Sequence, residues 1–351
     1  MKYLSVLFFA ATVFCGGTTV LTEDADTYCC DIAVTDWGAV IYVNEEGLLS
    51  ILNPDYTGDP ITMTIDWGRE LGEWGETGRV FDLSASPDGR NICFAQMVAV
   101  PAEYVEEDSY VPYPLIVATC RSDGMAPRLL GLSFEVGSGP HFCFTQDSRY
   151  VYGGPWLECD PDPASFVGYF SGDDSCGLTP WLMVDAATGT RSGDPSVIGD
   201  GFLENPCSDL VAAGWYPPNT IVDILTQQVL LEDTSIHSPA IIDTWVLPDA
   251  GLARDADGNQ LLRFADGTSI VNPGSPVDVY CRLSDGRFLF TDDGGGTVML
   301  GSIALPDFSS PDAVRVPWLD GLYSGTAVHE LPGDAGVVYL DGGDLVLAEL
   351  P

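Results

Sequence analysis

The chain has 351 residues, with 52 Asp and Glu against 13 Lys and Arg, a formal net charge of -39. A phosphate-backbone binder needs clustered Lys and Arg to release counterions, so direct nucleic-acid binding is excluded, and anionic lipid surfaces are disfavoured for the same reason. Hydrophobic residues at 46% and aromatics at 11% suffice to bury a core, which excludes an acidic disordered tail.

In chain order, Lys2 precedes an apolar run from Leu4 to Cys15 that ends at Gly16 and Gly17, before Thr22-Glu23-Asp24. A basic residue, a short apolar stretch and small residues read as a secretory leader over 1–17, too short to span a bilayer. The stretch Val13-Phe14-Cys15-Gly16-Gly17 resembles the lipobox of bacterial lipoproteins, in which the leader is cut just before a lipid-bearing Cys. That resemblance implies lipidation of Cys15, with Phe14 and Thr12 departing from the family pattern. No other window has the ~18 to 20 apolar residues of a membrane helix. Residues 18–27 read as a short linker and 28–351 as one domain.

The 39 Gly and 25 Pro exceed the ordinary ~12% and predict a turn-rich, strand-rich fold. Val40-Ile-Tyr-Val-Asn-Glu-Glu-Gly47 leads into Leu48-Leu-Ser-Ile51, two apolar runs around a polar turn, the short-range signature of a hairpin. Phe81-Asp-Leu-Ser-Ala-Ser-Pro-Asp-Gly-Arg90 runs into Asn91-Ile-Cys-Phe94 and is echoed by Cys281-Arg-Leu-Ser-Asp-Gly-Arg287-Phe-Leu-Phe290. Leu115 to Gly154 holds a strand, the turn Ser122-Asp123-Gly124, a short strand, then two strands joined at Gln146-Asp147-Ser148-Arg149. Trp181 to Thr190 is another hairpin, and Leu331 to Tyr339 a degenerate copy. Two hairpins make one four-stranded unit. Anchors at Asp36, Asp88, Asp147, Asp209, Asp249, Asp285 and Asp334 give about seven units of ~45 residues, within the range of a propeller blade. The fold class is therefore an all-β propeller of about seven four-stranded blades, with six or eight as alternatives. Strands from residues near 28 to 65 are expected to complete the last blade.

Ser86-Pro87-Asp88-Gly89-Arg90 and Ser122-Asp123-Gly124 with Pro127-Arg128-Leu129-Leu130 resemble the TolB-like propeller repeat of bacterial extracytoplasmic proteins, related in architecture to WD-repeat propellers. The resemblance is good over ~80–155, fair over 281–351 and weak between ~195 and 275. It implies partners gathered on the loop-bearing face and around the central channel.

Three segments depart from the repeat: 66–78, 101–114 and 159–176. Loops on a rigid scaffold are where binding residues concentrate. Tyr104, Tyr110 and Tyr113 lie among Glu103, Glu106, Glu107 and Asp108, and Trp67 and Trp74 flank Arg69, Glu70 and Glu73. Aromatics among acids suit protein recognition, so Tyr104, Tyr110, Tyr113 and Trp74 are the candidate partner-binding residues. For Trp67 a place in blade packing is the stronger alternative.

Ten cysteines without C-x-x-C spacing favour disulfides in an oxidising compartment over metal or redox sites. Cys159 and Cys176 bracket a Pro-, Gly- and Asp-rich loop that a disulfide would order. Cys93, Cys120 and Cys143 sit in apolar runs, either paired or buried as small core residues. Whether Cys15 carries lipid or leaves with the leader, nine cysteines remain, so at least one is free or intermolecular. Asp160, Asp162, Asp173 and Asp174 in the bracketed loop are the candidate ligands for calcium, the one cofactor left open, with a solvated acidic loop as the alternative. Arg254-Asp255-Ala-Asp257-Gly258-Asn259 has its glycine too early for a calcium loop and reads as a hairpin turn.

No G-x-S-x-G, H-E-x-x-H, phosphate-binding loop or dinucleotide fingerprint is present. The three histidines, His141, His237 and His329, stand in unrelated contexts. The acids spread over all units, which favours adaptation of the whole surface to high salt over one acidic face steering a basic partner. The expected protein is an exported, monomeric, non-catalytic propeller in the periplasm, on the outer membrane or secreted, binding protein partners. The alternatives are a propeller enzyme acting on extracellular polysaccharide or peptide, which His, Arg and carboxylates gathered at the channel mouth would favour, and a structural surface protein.

Overall fold

The computed structural model describes residues 16–26, 32–56, 58–105, 114–133, 142–153, 157–158, 163–170, 179–180, 182–198, 202–214, 219–232, 241–291, 296–304, 308–323, 326–333 and 336–351. After β1 (Thr18–Thr22), blade 1 comprises β2 (Ile32–Val34), β3 (Val40–Val43), β4 (Leu49–Leu52) and β5 (Ile61–Thr62). Blade 2 comprises β6 (Thr77–Ala85), β7 (Asn91–Val98), β8 (Leu115–Arg121) and β9 (Arg128–Ser133). Blade 3 starts with β10 (Phe142–Phe144) and β11 (Tyr150–Gly153). An insertion of β12 (Leu157–Glu158), α1 (Pro163–Phe170) and β13 (Thr179–Pro180) follows, and β14 (Met183–Asp185) and β15 (Arg191–Ser192) complete the blade. Blade 4 is β16 (Phe202–Glu204), β17 (Leu210–Ala213), β18 (Thr220–Asp223) and β19 (Gln228–Glu232). Blade 5 is β20 (Thr244–Leu247), β21 (Ala250–Arg254), β22 (Gln260–Phe264) and β23 (Ser269–Val271). Blade 6 is β24 (Asp278–Arg282), β25 (Phe288–Thr291), β26 (Val298–Gly301) and β27 (Val314–Arg315), and blade 7 is β28 (Val328–Glu330), β29 (Val337–Asp341), β30 (Asp344–Ala348) and β1. The fold is a seven-bladed propeller of antiparallel sheets. Six of the seven aspartate anchors, Asp36, Asp88, Asp147, Asp209, Asp249 and Asp285, stand in the turn between the first two strands of blades 1 to 6, and Asp334 lies outside the described residues.

Each blade buries both faces, so its middle strands read as continuous apolar runs. In β7, Ile92 and Phe94 face blade 1 while Cys93 and Ala95 face blade 3. One apolar cluster fills each seam, from Ile41, Leu83 and Phe94 between blades 1 and 2 round to Tyr42, Val338 and Leu345 between blades 7 and 1. Cys93 pairs in register with Thr119 and Cys120 with Ile92, so the two thiols point to opposite faces and cannot meet. Both are free and buried, and burial pushes the Cys120 thiol up to about 12.

The closing strand corrects the sequence expectation. Residues 28–65 build blade 1, and Thr18–Thr22, expected as linker, supplies the fourth strand of blade 7 with Thr18 opposite Ala348 and Val20 opposite Val346. The residues after it clasp both sides of the joint. Ala25 N donates to Gly343 O (3.0 Å) in blade 7, while Asp26 N donates to Val43 O (2.8 Å) in blade 1. The Asp26 carboxylate takes the Arg79 guanidinium of blade 2, and the Asp24 carboxylate accepts the Tyr42 hydroxyl at 2.6 Å.

Gly89 tests the repeat turn. Its φ is +67°, and a Cβ there would fall 2.2 Å from Asp36 N of the neighbouring blade. Left-handed backbone costs a non-glycine residue roughly 1–2 kcal/mol before any collision. Gly89→Ala is therefore expected to lower unfolding stability by about 2 kcal/mol or more, read as a lower urea midpoint at unchanged slope.

Candidate functional site at the mouth of the central channel

The turns carrying the repeat motif are built alike. Ser86 Oγ donates to Asp88 (2.6 Å) and Thr145 Oγ1 to Asp147 (2.6 Å), and the amides of Arg90, Arg149 and Arg287 donate to the aspartate two residues before each. Short side-chain oxygens bonding local amides are what favour Ser, Thr and Asp in tight turns. The turns also hold one another. Asp36 N donates to Gly89 O (3.2 Å), Asp88 N to Ser148 Oγ (3.1 Å), and Gln146 N to the Asp209 carboxylate (2.7 Å). Asn205 Nδ2 donates to Leu247 O (3.0 Å), and Ser284 donates through N and Oγ to Glu330 (2.7 and 3.0 Å). These bonds run from blade 1 to blade 5 and from blade 6 to blade 7. They fix the rim of one face.

Inside this rim lies a cavity of about 1040 Å³ lined from six of the seven innermost strands and opening between Pro87, Gln146, Pro206 and Ser284. Its wall is unequal. Blades 3 and 4 contribute Phe142, Phe144, Tyr152, Phe202 and Glu204, and the Tyr152 and Phe202 rings pack at 5.3 Å. The Cys143 thiol bonds the Glu204 carboxylate, and burial, with Cys143 and Glu204 alongside, pushes the Tyr152 hydroxyl far up, so it stays protonated. Blades 6 and 7 contribute Arg282, His329 and Glu330, and Arg282 Nη1 donates to Cys207 Sγ at 3.5 Å. Asp82 of blade 2 completes the acidic groups. Burial pushes the Asp209 carboxyl up against the opposing Gln146 amide, so the strut from blade 3 to blade 4 is an acid under strain of desolvation. Among the described residues no group of three or more His, Cys, Asp or Glu is arranged to hold a metal.

The sequence-derived site residues fall elsewhere. Trp74 is 7% exposed, edge-on to Phe166 of α1 at 5.7 Å between ring centres, which corrects it from a partner-facing to a packing residue. Tyr104 closes the short turn Ala102–Tyr104 and its hydroxyl bonds the Glu73 carboxylate. The departures from the repeat thus converge beside blade 2, where Trp74, Val98, Ile116, Leu132 and Phe166 form a satellite core and β12 and β13 extend the sheet to six strands. Trp67 packs edge-on against Phe94 at 6.0 Å. Tyr110, Tyr113, Cys159, Cys176, Asp160, Asp162, Asp173, Asp174 and Cys15 lie outside the described residues. The turn at Asp255 is the hairpin expected, its carboxylate accepting the amides of Asp257 and Asn259. The channel groups were not singled out, because only the order of blades round the ring brings residues 82, 143, 204, 282 and 330 together.

No protein-family model matches the chain, and no curated protein does. Solved structures do. The β-propeller domain of Cps50 (Swd1) from Myceliophteria thermophila superposes with a TM-score of 0.51 at 8% identity, over 95% of this chain and 100% of that one. U3-55K gives 0.50 at 9%, over 95% and 98%. At these identities the likeness is one of fold, a β-propeller of the WD40 kind.

Asp185, in blade 3 beside the rim, offers a pH test. Burial pushes its carboxyl up, but the Thr188 and Ala187 amides and the Arg149 guanidinium (3.0 Å) outweigh burial and hold its pKa below the ordinary value. An acid with a depressed folded pKa contributes stability above its unfolded value of ~3.9, lost as pH falls through the folded one. Asp185→Asn is expected to lower the urea midpoint at pH 6 and to narrow its gap from the native chain at pH 2. An equal gap at both values would refute the assignment.

Proposed function

We propose that the protein is an exported scaffold, TolB-like in kind, that captures a protein partner at the channel mouth. The observation that carries this is the pairing of the mouth's polar groups: Glu330 with Ser284, Glu204 with Cys143, Arg282 with Cys207. Groups held by one another on a hydrogen-bonded rim present a fixed pattern of charge beside an aromatic wall, the composition of a recognition surface. In the expected experiment, cross-linked capture from envelope extracts of the source cells recovers one set of proteins. Arg282→Glu with Glu204→Lys loses it, and Val229→Ser on the outer strand of blade 4 keeps it. Equal recovery by all three forms would place the partner elsewhere, and Tyr104, Tyr110 and Tyr113 changed to Ala would be examined next.

The same cavity supports a second reading, since His329, Arg282, Glu204 and Glu330 are what an enzyme on polysaccharide or peptide would require. Turnover of such substrates, abolished by His329→Ala at unchanged melting temperature, would replace the scaffold with the enzyme.

Export with an anchor on Cys15 belongs to the proposal. Supporting it, the chain from Gly16 onward is occupied in closing the ring, with Gly17 O accepting Glu349 N at 3.1 Å, so a cut ahead of Gly16 leaves the closure whole. In an oxidising compartment Cys159 and Cys176 pair. A non-reducing peptide map is expected to show that cross-link, and reduction to cost about 3 kcal/mol for a loop of this length. Calcium at Asp160, Asp162, Asp173 and Asp174 would raise the melting temperature, and chelation would reverse it.

A further inference from the structure

We infer that the outer rim of blades 6 and 7, around Gly16 and Trp318, rests against a zwitterionic lipid surface and sets the propeller edge-on to the membrane. The inference rests on the anchor at Cys15 proposed above. What carries it is where the described chain begins. A Cβ on Gly16 would fall 2.2 Å from two ring carbons of Trp318, so the backbone passes directly beneath the indole. Trp318 Nε1 donates to Glu349 O at 2.9 Å, and Gly17 accepts from the same residue. The chain is therefore fixed to the ring one residue after Cys15. Consecutive Cα atoms are ~3.8 Å apart, so an acyl group on Cys15 has no tether, and the bilayer must lie against whatever surrounds Gly16.

What surrounds it suits a headgroup layer. Thr18, Thr19 and Val20 of the edge strand are exposed, and Tyr323, five residues beyond Trp318 on the same connection, is 77% exposed. Tyr and Trp, each with an apolar body and a polar tip, are enriched at membrane–water interfaces. The nearby cation Arg315 is already held by Asp320, so nothing there recruits anionic lipid, and a net charge of -39 repels it. A lone acyl chain holds a protein only marginally, and an aromatic rim supplies a second contact. Edge-on placement leaves the channel mouth open to a partner.

The test compares amide exchange of the full chain, purified from an envelope-exporting host and inserted in phosphatidylcholine vesicles, with Cys15→Ser mixed with the same vesicles. Intact mass first reports the acyl group. The expected result is several-fold slower exchange in peptides covering 16–22 and 316–323 of the acylated form, with 225–232 in blade 4 unchanged. An acylated protein whose protection appears elsewhere or nowhere overturns the rim and leaves the anchor standing. Absence of the acyl group overturns both.

Discussion

The pairing of β1 with β30 is the interaction on which the ring depends. Six blades follow one another through covalent connections, but the seventh is finished by Thr18–Thr22, from the other end of the chain. Without that strand, β30 would be an open edge and the seam between blades 7 and 1 would lose its partner. The closure is reinforced where it is weakest. Ala25 and Asp26 bond backwards to blade 7 and forwards to blade 1, and Asp26 reaches Arg79 in blade 2. The few residues between the closing strand and the first blade thus tie three blades together.

A closed ring makes the turn-to-turn bonds possible, and they in turn shape the site. An aspartate two residues into each turn satisfies local amides, which frees other turn groups to bond the next blade. Asp36, Asp88, Gln146 and Asn205 each reach one blade onward. Rigid turns hold the cavity's walls at fixed spacing, the condition for a surface that recognises shape without first paying to order itself.

Much of this was legible in the sequence, and the rest was not for identifiable reasons. The Asp-Gly and Asp-Ser turns between apolar runs located blades even where the likeness was weak, because Asp209 and Asp249 keep the turn chemistry after the flanking motif is lost. Thr18–Thr22 was missed because a five-residue edge strand, with one side in water, shows no burial pattern of its own, and its neighbours in sequence are a leader and an acidic run. Trp74 misled because a tryptophan among Arg and Glu looks exposed until the helix carrying Phe166, some ninety residues on, folds over it. The channel was invisible for a related reason. Its residues are single positions on separate short strands, and nothing in a strand such as Phe142–Phe144 says which strand faces it.

The two sides of the cavity bear on what kind of ligand it could orient. Blades 3 and 4 offer aromatic rings and the Glu204 carboxylate, while blades 6 and 7 offer Arg282 and His329 beside Glu330. A uniformly acidic surface attracts cations from all directions but cannot fix their orientation, since long-range attraction steers encounter more than it sets register. A cavity whose cationic groups sit on one side and whose apolar wall sits on the other discriminates by direction. In a chain with 13 basic residues against 52 acidic ones, an arginine on the channel wall is a scarce group in a defined place. Its removal therefore tests orientation, where removal of any one surface acid would test only the overall field.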